Sequence, residues 1–132
     1  MIETSKEKLL KMLNRGLELE HAARIQYLSH AELIDGLEAE PVIARLKEIA
    51  GDEEKHEEKF RTLIGNYLGG VPSMSLAKTY PAKTVKEILE VNLKGEREAV
   101  DFYKQILDEA NRSKAELTYE FWTIEHEVRH II

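Results

Sequence analysis

Two Glu-x-x-His units, Glu53–His56 and Glu127–His130, lie in two different helical stretches of this chain. The stretch before each carries a lone glutamate on its apolar seam, Glu20 and Glu96, and each of these has a tyrosine seven residues on, Tyr27 and Tyr103. In Glu-x-x-His the two side chains stand one helical turn apart on one face. Four carboxylates and two imidazoles disposed in this way form two half-sites. A four-helix bundle brings such half-sites together around a pair of metal ions.

The physical reason for metal is charge. An unpaired ionised carboxylate in a core costs several kcal/mol even after relaxation. Four facing one another force some to protonate. Two divalent ions balance four glutamates, while both histidines bind neutral. Carboxylate with imidazole suits iron and manganese better than copper(I). The composition removes other chemistries. Without cysteine there are no disulfides, zinc–thiolate sites, iron–sulfur clusters or thiol catalysis. The net charge of −6 argues against nucleic acid as a partner. No apolar run reaches a membrane span and the N-terminus has no signal-like h-region, so the expected location is the cytoplasm.

The 132 residues are expected to form a single domain, 1–132, helical throughout. Capping boxes at Thr4/Glu7, Thr84/Glu87 and Ser113/Glu116 mark helix starts, and Pro41 suits a first turn. Gly36 and the Gly69-Gly70-Val71-Pro72 segment mark ends. The expected helices are A near 5–35, B near 41–67, C near 83–111 and D near 114–132. Two antiparallel hairpins follow, joined by a long B–C crossover over 68–82. The expected seams are Leu13, Leu17, Glu20, Ala23 or Arg24, Tyr27, Ala31 and Ile34 in A, and Val42, Leu46, Ile49, Glu53, His56, Phe60, Leu63 and Tyr67 in B. Helix C gives Val85, Leu89, Asn92, Glu96, Ala99, Tyr103, Ile106 and Ala110, and D gives Leu117, Phe121, Ile124, Glu127 and Ile131, with His130 beside them.

Glu-x-x-His alone is a weak signal. A third copy, Glu18 with His21, falls off the helix A seam and reads as surface decoration. Specificity comes from the conjunction of two pairs and two lone glutamates on core seams, with spacings of 33 residues (Glu20 to Glu53) and 31 (Glu96 to Glu127). His21 and His126 read as exposed polar residues, and His30 as a satisfied, partly buried histidine. Tyr27 and Tyr103 are either core aromatics or partners of the site. Gly51 and Gly95, inside helices beside the ligands, imply close helix packing or a local π-bulge. Trp122 and Phe121 read as packing between helices or subunits. Charged runs such as Glu57-Glu58-Lys59 read as solvated faces.

The chain resembles the bacterioferritins, within the ferritin-like di-iron carboxylate superfamily. The resemblance rests on Glu20-His-Ala-Ala-Arg-Ile-Gln-Tyr27-Leu-Ser-His30-Ala, on Asp52-Glu53-Glu54-Lys55-His56, and on Leu68-Gly-Gly-Val-Pro72 and Val85-Lys-Glu-Ile-Leu89. Gly95-Glu96 is similar to rubrerythrins, but Ala99 stands where those carry a second glutamate. The resemblance implies an up-down-down-up four-helix bundle. It implies that Glu20 and Glu96 are terminal ligands, that Glu53 and Glu127 bridge, and that His56 and His130 each bind one iron. It places Tyr27 just beyond the metals as a possible one-electron source, with Tyr103 equivalent in the other half. It implies Asp52 as a support for a ligand histidine, whereas helix D has His126 at that place. The methionine that holds haem in the family is here Glu54, so no haem is expected. The family continues helix D and adds a fifth helix. This sequence stops two residues after His130, so either the tail is missing from this sequence or the protein is naturally short, and a 24-subunit cage is left open.

These readings converge on a protein that oxidises Fe²⁺ with O₂ or H₂O₂, a ferroxidase-type oxidoreductase serving iron storage or detoxification. It would hold two Fe ions, or Mn, and act as a homo-oligomer, a dimer at least. The alternatives are a rubrerythrin-like peroxide reductase, another di-iron or di-manganese oxidoreductase, or a bundle that binds metal only for structure.

Overall fold

A computed structural model describes residues 3–117 and 119–132. Helix α1 spans Ser5–Ala31, α2 Glu40–Arg61, α3 Val85–Arg112, α4 Lys114–Leu117 and α5 Tyr119–Ile131. The local signals act as expected at two starts. Thr4 Oγ1 accepts from the Glu7 N–H and Thr84 Oγ1 from the Glu87 N–H, both at 3.1 Å, satisfying N–H groups that have no partner inside the helix. Pro41 lies in the first turn of α2. At the third box, the Glu116 carboxylate accepts from Ser5 Oγ at 2.6 Å and ties α4 to α1. The expected helix D appears as α4 and α5 on either side of residue 118, which lies outside the described residues. The first helix ends at Ala31, short of 35, and Gly36 sits in the following turn with φ +92°.

Helix α2 runs on into a π-helical turn, Thr62–Tyr67. The wider turn lets the adjacent Leu63 and Ile64 both face the core, and it swings Tyr67, expected on the seam, out to 56% exposure. Gly69, with φ +67°, then reverses the chain, and the Gly70 N–H donates to Ile64 O at 2.8 Å. Helix α1 packs on α2 and α3, and α3 packs on α5. Hydrogen bonds from Tyr27 to Glu96 and from Tyr103 to Glu20 show that α1 and α3 run antiparallel. The order is therefore up-down-down-up. Among the described residues no helix is long and apolar enough to cross a membrane.

Residues 68–84 make the end-to-end crossover, held by a polar stripe on α1. Asn14 donates to Val71 O at 3.0 Å and accepts from the Ser73 N–H at 2.8 Å. The Glu18 carboxylate accepts from Ser73 Oγ (2.6 Å), and its backbone carbonyl accepts from the Ala77 N–H (2.9 Å). His21 Nδ1 donates to Ser75 O (2.7 Å). Gln26 accepts from the Tyr80 N–H (2.7 Å), and His30 Nε2 donates to Tyr80 O (3.0 Å). Glu18 and His21 are thus anchors rather than surface decoration, and His21 is half-buried. His30 is buried. Its Nδ1 accepts from Asn92, which also takes a hydrogen bond from Gln26. Every polar group of this buried knot has a partner, which is the condition for burying it.

The core has two apolar layers. The lower one joins Leu13, Leu17, Phe60, Leu63, Ile106 and Ile124, and the upper one Tyr27, Ala31, Leu46, Ala50 and Ile88. On α3 it is Ile88 and Asn92 that turn inward, leaving Leu89 half exposed. A Cβ on Gly16 would lie 2.8 Å from the buried Phe60 ring, so close approach of α1 and α2 requires this glycine. Gly51 and Gly95 meet no such need. A Cβ on either has nothing within 4 Å, and both lie in regular α-helix, so neither reading made from the sequence holds.

A pair of substitutions tests this packing. Gly51→Ala is expected to raise unfolding stability by about 0.5–1 kcal/mol, through lower unfolded-state entropy in a helix interior. Gly16→Ala gains the same helix propensity, but the displaced Phe60 costs about 1–3 kcal/mol. It is therefore expected to be no more stable than the natural chain in urea melts, and Gly51→Ala measurably more so.

Candidate metal centre

Between the two apolar layers lies a layer of acid. Glu20 from α1 and Glu53 from α2 are 3% and 4% exposed, and His56 follows Glu53 by one turn. One ligand atom from each of Glu20, Glu53 and His56 lies within 4.8 Å of the others. His56 Nδ1 is 3.4 Å from Glu20 Oε2 and 3.8 Å from Glu53 Oε2. Glu96 of α3 closes the cluster against Glu53. The tyrosines reach across. Tyr103 on α3 donates to Glu20 on α1 at 2.6 Å, and Tyr27 on α1 donates to Glu96 on α3 at 2.9 Å. The seven-residue spacing in both helices, run antiparallel, produces this crossed pairing.

Two of the six ligands expected from the sequence stand outside the cluster. Helix α5 turns Phe121, Ile124, Val128 and Ile131 to the core. Glu127 lies on the flank, its Oε2 3.1 Å from Lys59 Nζ, and His130 is exposed, with Nδ1 donating to His126 O at 2.8 Å. Glu127 and Val128 are neighbours about 100° apart on a helix. Only one of them can face inward, and valine is far cheaper to bury than an unpaired carboxylate. Asp52, expected to support a histidine, is exposed, as is His126, whose ring stacks 4.3 Å from that of His130. Trp122 is also exposed, packed edge-on against the buried Phe121.

The electrostatics of the cluster are those of acids crowded together away from water. Burial first, and then the negative Glu53 beside it, push the Glu96 carboxyl up to about 7, against the opposing hydrogen bond from Tyr27. Burial and the neighbouring glutamates raise both tyrosine phenols well above their usual value, so they stay protonated as donors. Among the described residues, Glu20 Oε2 is the buried side-chain oxygen without a hydrogen-bond partner. Such an orphan costs about 1–3 kcal/mol, more when charged. A carboxylate-rich set with one imidazole is the donor chemistry of a hard or borderline divalent ion, so the residues fit iron or manganese.

Sequence reasoning missed one buried pair. Glu57, assigned to a solvated run, is 2% exposed. It accepts from Arg24 Nε at 2.6 Å and Nη2 at 3.2 Å, and His21 Nε2 is 3.4 Å away. Its signal was present. Glu57 lies four residues after Glu53, on the same face, and Arg24 was one of two candidates for the helix A seam.

An antiparallel helical bundle with a buried carboxylate–histidine cluster between α1, α2 and α3 has the fold and donor chemistry of a metal-binding helical bundle. The comparisons narrow the class: residues 10–131 match the ferritin-like domain, and the chain belongs to that family. A bacterioferritin of Desulfovibrio desulfuricans is 30% identical over 106 residues, 80% of this chain. That match spans 59% of the relative's own length. A ferritin-like, diiron-carboxylate protein structure from Bacillus anthracis str. Ames is 25% identical with a TM-score of 0.79, covering 98% of this chain and 94% of that one. The Desulfovibrio desulfuricans bacterioferritin structure, described with its diiron site in different catalytic states, is 28% identical with a TM-score of 0.77. It covers 96% of this chain and 75% of that one. These likenesses confirm the expected ferritin-like bundle and the kinship with bacterioferritins.

Two outcomes follow from the electrostatics. Folding lifts the Glu96 carboxyl from 4.5 to about 7. Between those values the folded chain holds a proton that the unfolded chain has released, so stability falls as pH rises through the window. Glu96→Gln keeps the acceptor for Tyr27 and removes the titration. The metal-free variant is expected to show a flatter fall of Tm from pH 4.5 to 7 than the natural chain, and an equal slope would refute the assignment. Arg24→Ala strands the Glu57 charge in the core, and about 3 kcal/mol of stability is expected to be lost in urea melts.

Proposed function

We propose that this chain binds Fe²⁺ as substrate at the Glu20–Glu53–His56–Glu96 cluster and oxidises it with O₂ or H₂O₂, for iron storage or detoxification. The observation that carries the reading is the convergence of three carboxylates and an imidazole between apolar layers, with one buried carboxylate oxygen left unpartnered. Family membership and the diiron relatives support it.

The work of the protein is electrostatic. Glu20, Glu53 and Glu96 place negative charge in a largely buried layer, so Fe³⁺ is stabilised over Fe²⁺ and the oxidation is favoured. Two Fe²⁺ supply the two electrons that, with two protons from solvent, reduce O₂ to H₂O₂ or H₂O₂ to two waters. Glu96 releases its proton as the metal binds, so affinity rises with pH towards 7. Tyr27 and Tyr103 hold Glu96 and Glu20 in place through their hydroxyls, and we assign them as one-electron donors to the site. We assign Glu127 and His130 as further ligands, brought in when α5 turns about its axis and Glu127 leaves Lys59. The incoming cations remove the penalty that otherwise favours Val128 inside. Haem plays no part in this reading, because the position that would supply a thioether is the exposed carboxylate Glu54. The working unit is a homo-oligomer, a dimer at least.

Stopped-flow absorbance after loading Fe²⁺ without oxygen, followed by addition of oxidant, tests the reading. Two Fe²⁺ per chain should be oxidised in a fast phase that Glu53→Ala and His56→Ala each abolish. Glu127→Ala and His130→Ala should halve the stoichiometry or slow the phase. Metal uptake without oxidant consumption would instead make this a structural metal-binding bundle, and fast oxidation in both Glu53→Ala and His56→Ala would overturn the site itself.

A further inference from the structure

The outer face of α5 carries two histidines that stand outside the acid cluster. His126 and His130 are one turn apart, and both are exposed. Their rings lie together, with centroids 4.3 Å apart and planes inclined at 47°. The segment reads His126-Glu127-Val128-Arg129-His130. Two histidines at that spacing on one helix face are a bidentate seat for zinc.

The local structure prepares the pair for an ion. Helix α5 is regular over Tyr119–Ile131, so both side chains leave the same face. His130 Nδ1 donates to His126 O at 2.8 Å. That bond fixes the tautomer and leaves the lone pair of Nε2 for a metal, as backbone carbonyls do for many metal-bound histidines. Zinc holds imidazole nitrogens at about 2.0–2.1 Å, so two on one tetrahedral ion stand about 3.4 Å apart. Rings at the observed separation reach that spacing by small side-chain rotations. The nearest cation along the helix is neutralised, since Arg129 Nε donates to Glu125 Oε1 at 3.0 Å. Glu127 is drawn away to Lys59 Nζ at 3.1 Å, so the geometry speaks for holding an ion and not for hydrolysis with Glu127 as the base.

We propose that His126 and His130 form a second metal site, on the surface, for a borderline divalent ion of the Zn²⁺ and Cu²⁺ kind. Two neutral imidazoles without a carboxylate favour these ions over Fe²⁺ and Mn²⁺. The three glutamates and one histidine of the cluster are more hospitable to the harder ions, so the two sites differ in what they select. Water completes the coordination, because the rings stand in solvent. Occupation has a consequence that rests on the iron-oxidation reading. His130 cannot serve both sites. An ion on the outer face therefore holds α5 in its observed register and keeps Glu127 and His130 out of the cluster.

Zn²⁺ titrated into the metal-free chain, followed through the ring ¹⁵N shifts of its histidines, tests this. His126 and His130 are expected to shift together and to saturate, and the His56 ring reports separately on the cluster. His126→Ala removes one arm of the chelate and should raise the zinc concentration needed at His130 by about tenfold or more. His126 is exposed and outside the iron site, so this variant should fold and keep its basal oxidation rate. Equimolar Zn²⁺ should slow the fast iron phase of the natural chain more than that of His126→Ala. The absence of saturable shifts at His126 and His130, or an unchanged zinc dependence at His130 in His126→Ala, would overturn the site. Equal slowing of the two chains would overturn the hold on α5 while the site stands. A natural chain that oxidises no iron would remove the reading on which that hold rests, and the ring shifts would still decide the site.

Discussion

Three glutamates buried at one level of a helical bundle are the constraint to which the rest of the structure responds. Glu20 and Glu53 are almost wholly removed from water, and Glu96 is half-buried beside them. In a medium that screens poorly, like charges so close are strongly unfavourable. The chain meets this with a retained proton on Glu96, two phenol donors and the nearby imidazole of His56. The set is still incomplete, because one oxygen of Glu20 has no partner. On the proposed reading, cations complete the set and remove the repulsion.

Helix α5 shows how the same physics decides a contest between neighbours. Its apolar stripe, Phe121, Ile124, Val128 and Ile131, is continuous, and burying it turns Glu127 towards Lys59 and His130 to solvent. The two faces differ by about one residue's rotation. Hydrophobic burial of a valine is worth about 1.5–3 kcal/mol, and an uncompensated carboxylate costs more than that. In the structure the apolar face wins, and the proposed rotation of α5 needs positive charge in the site to reverse that balance.

Away from the acid layer, buried polar groups are paired with care. The stripe Asn14, Glu18, His21, Gln26 and His30 holds the crossover along the length of α1. The ion pair of Arg24 with Glu57 is bidentate. These contacts hold the crossover against α1, so a loop without regular structure is fixed in place by side-chain hydrogen bonds.

The sequence by itself determined the helices, their caps at Thr4 and Thr84, the long crossover, the antiparallel order, and the set Glu20, Glu53, His56 and Glu96. These follow from local hydrogen bonding and from apolar periodicity, which are properties of neighbouring residues along one chain. The tertiary structure alone decided the crossed tyrosine bonds, the burial of Glu57, the π-helical turn after Arg61 and the orientation of Glu127 and His130. Each depends on how far a helix rotates about its axis and on what faces it across a gap of several ångströms. A periodic pattern leaves that rotation open by about one residue, and the energies of packing and buried charge settle it only when all the helices are in place.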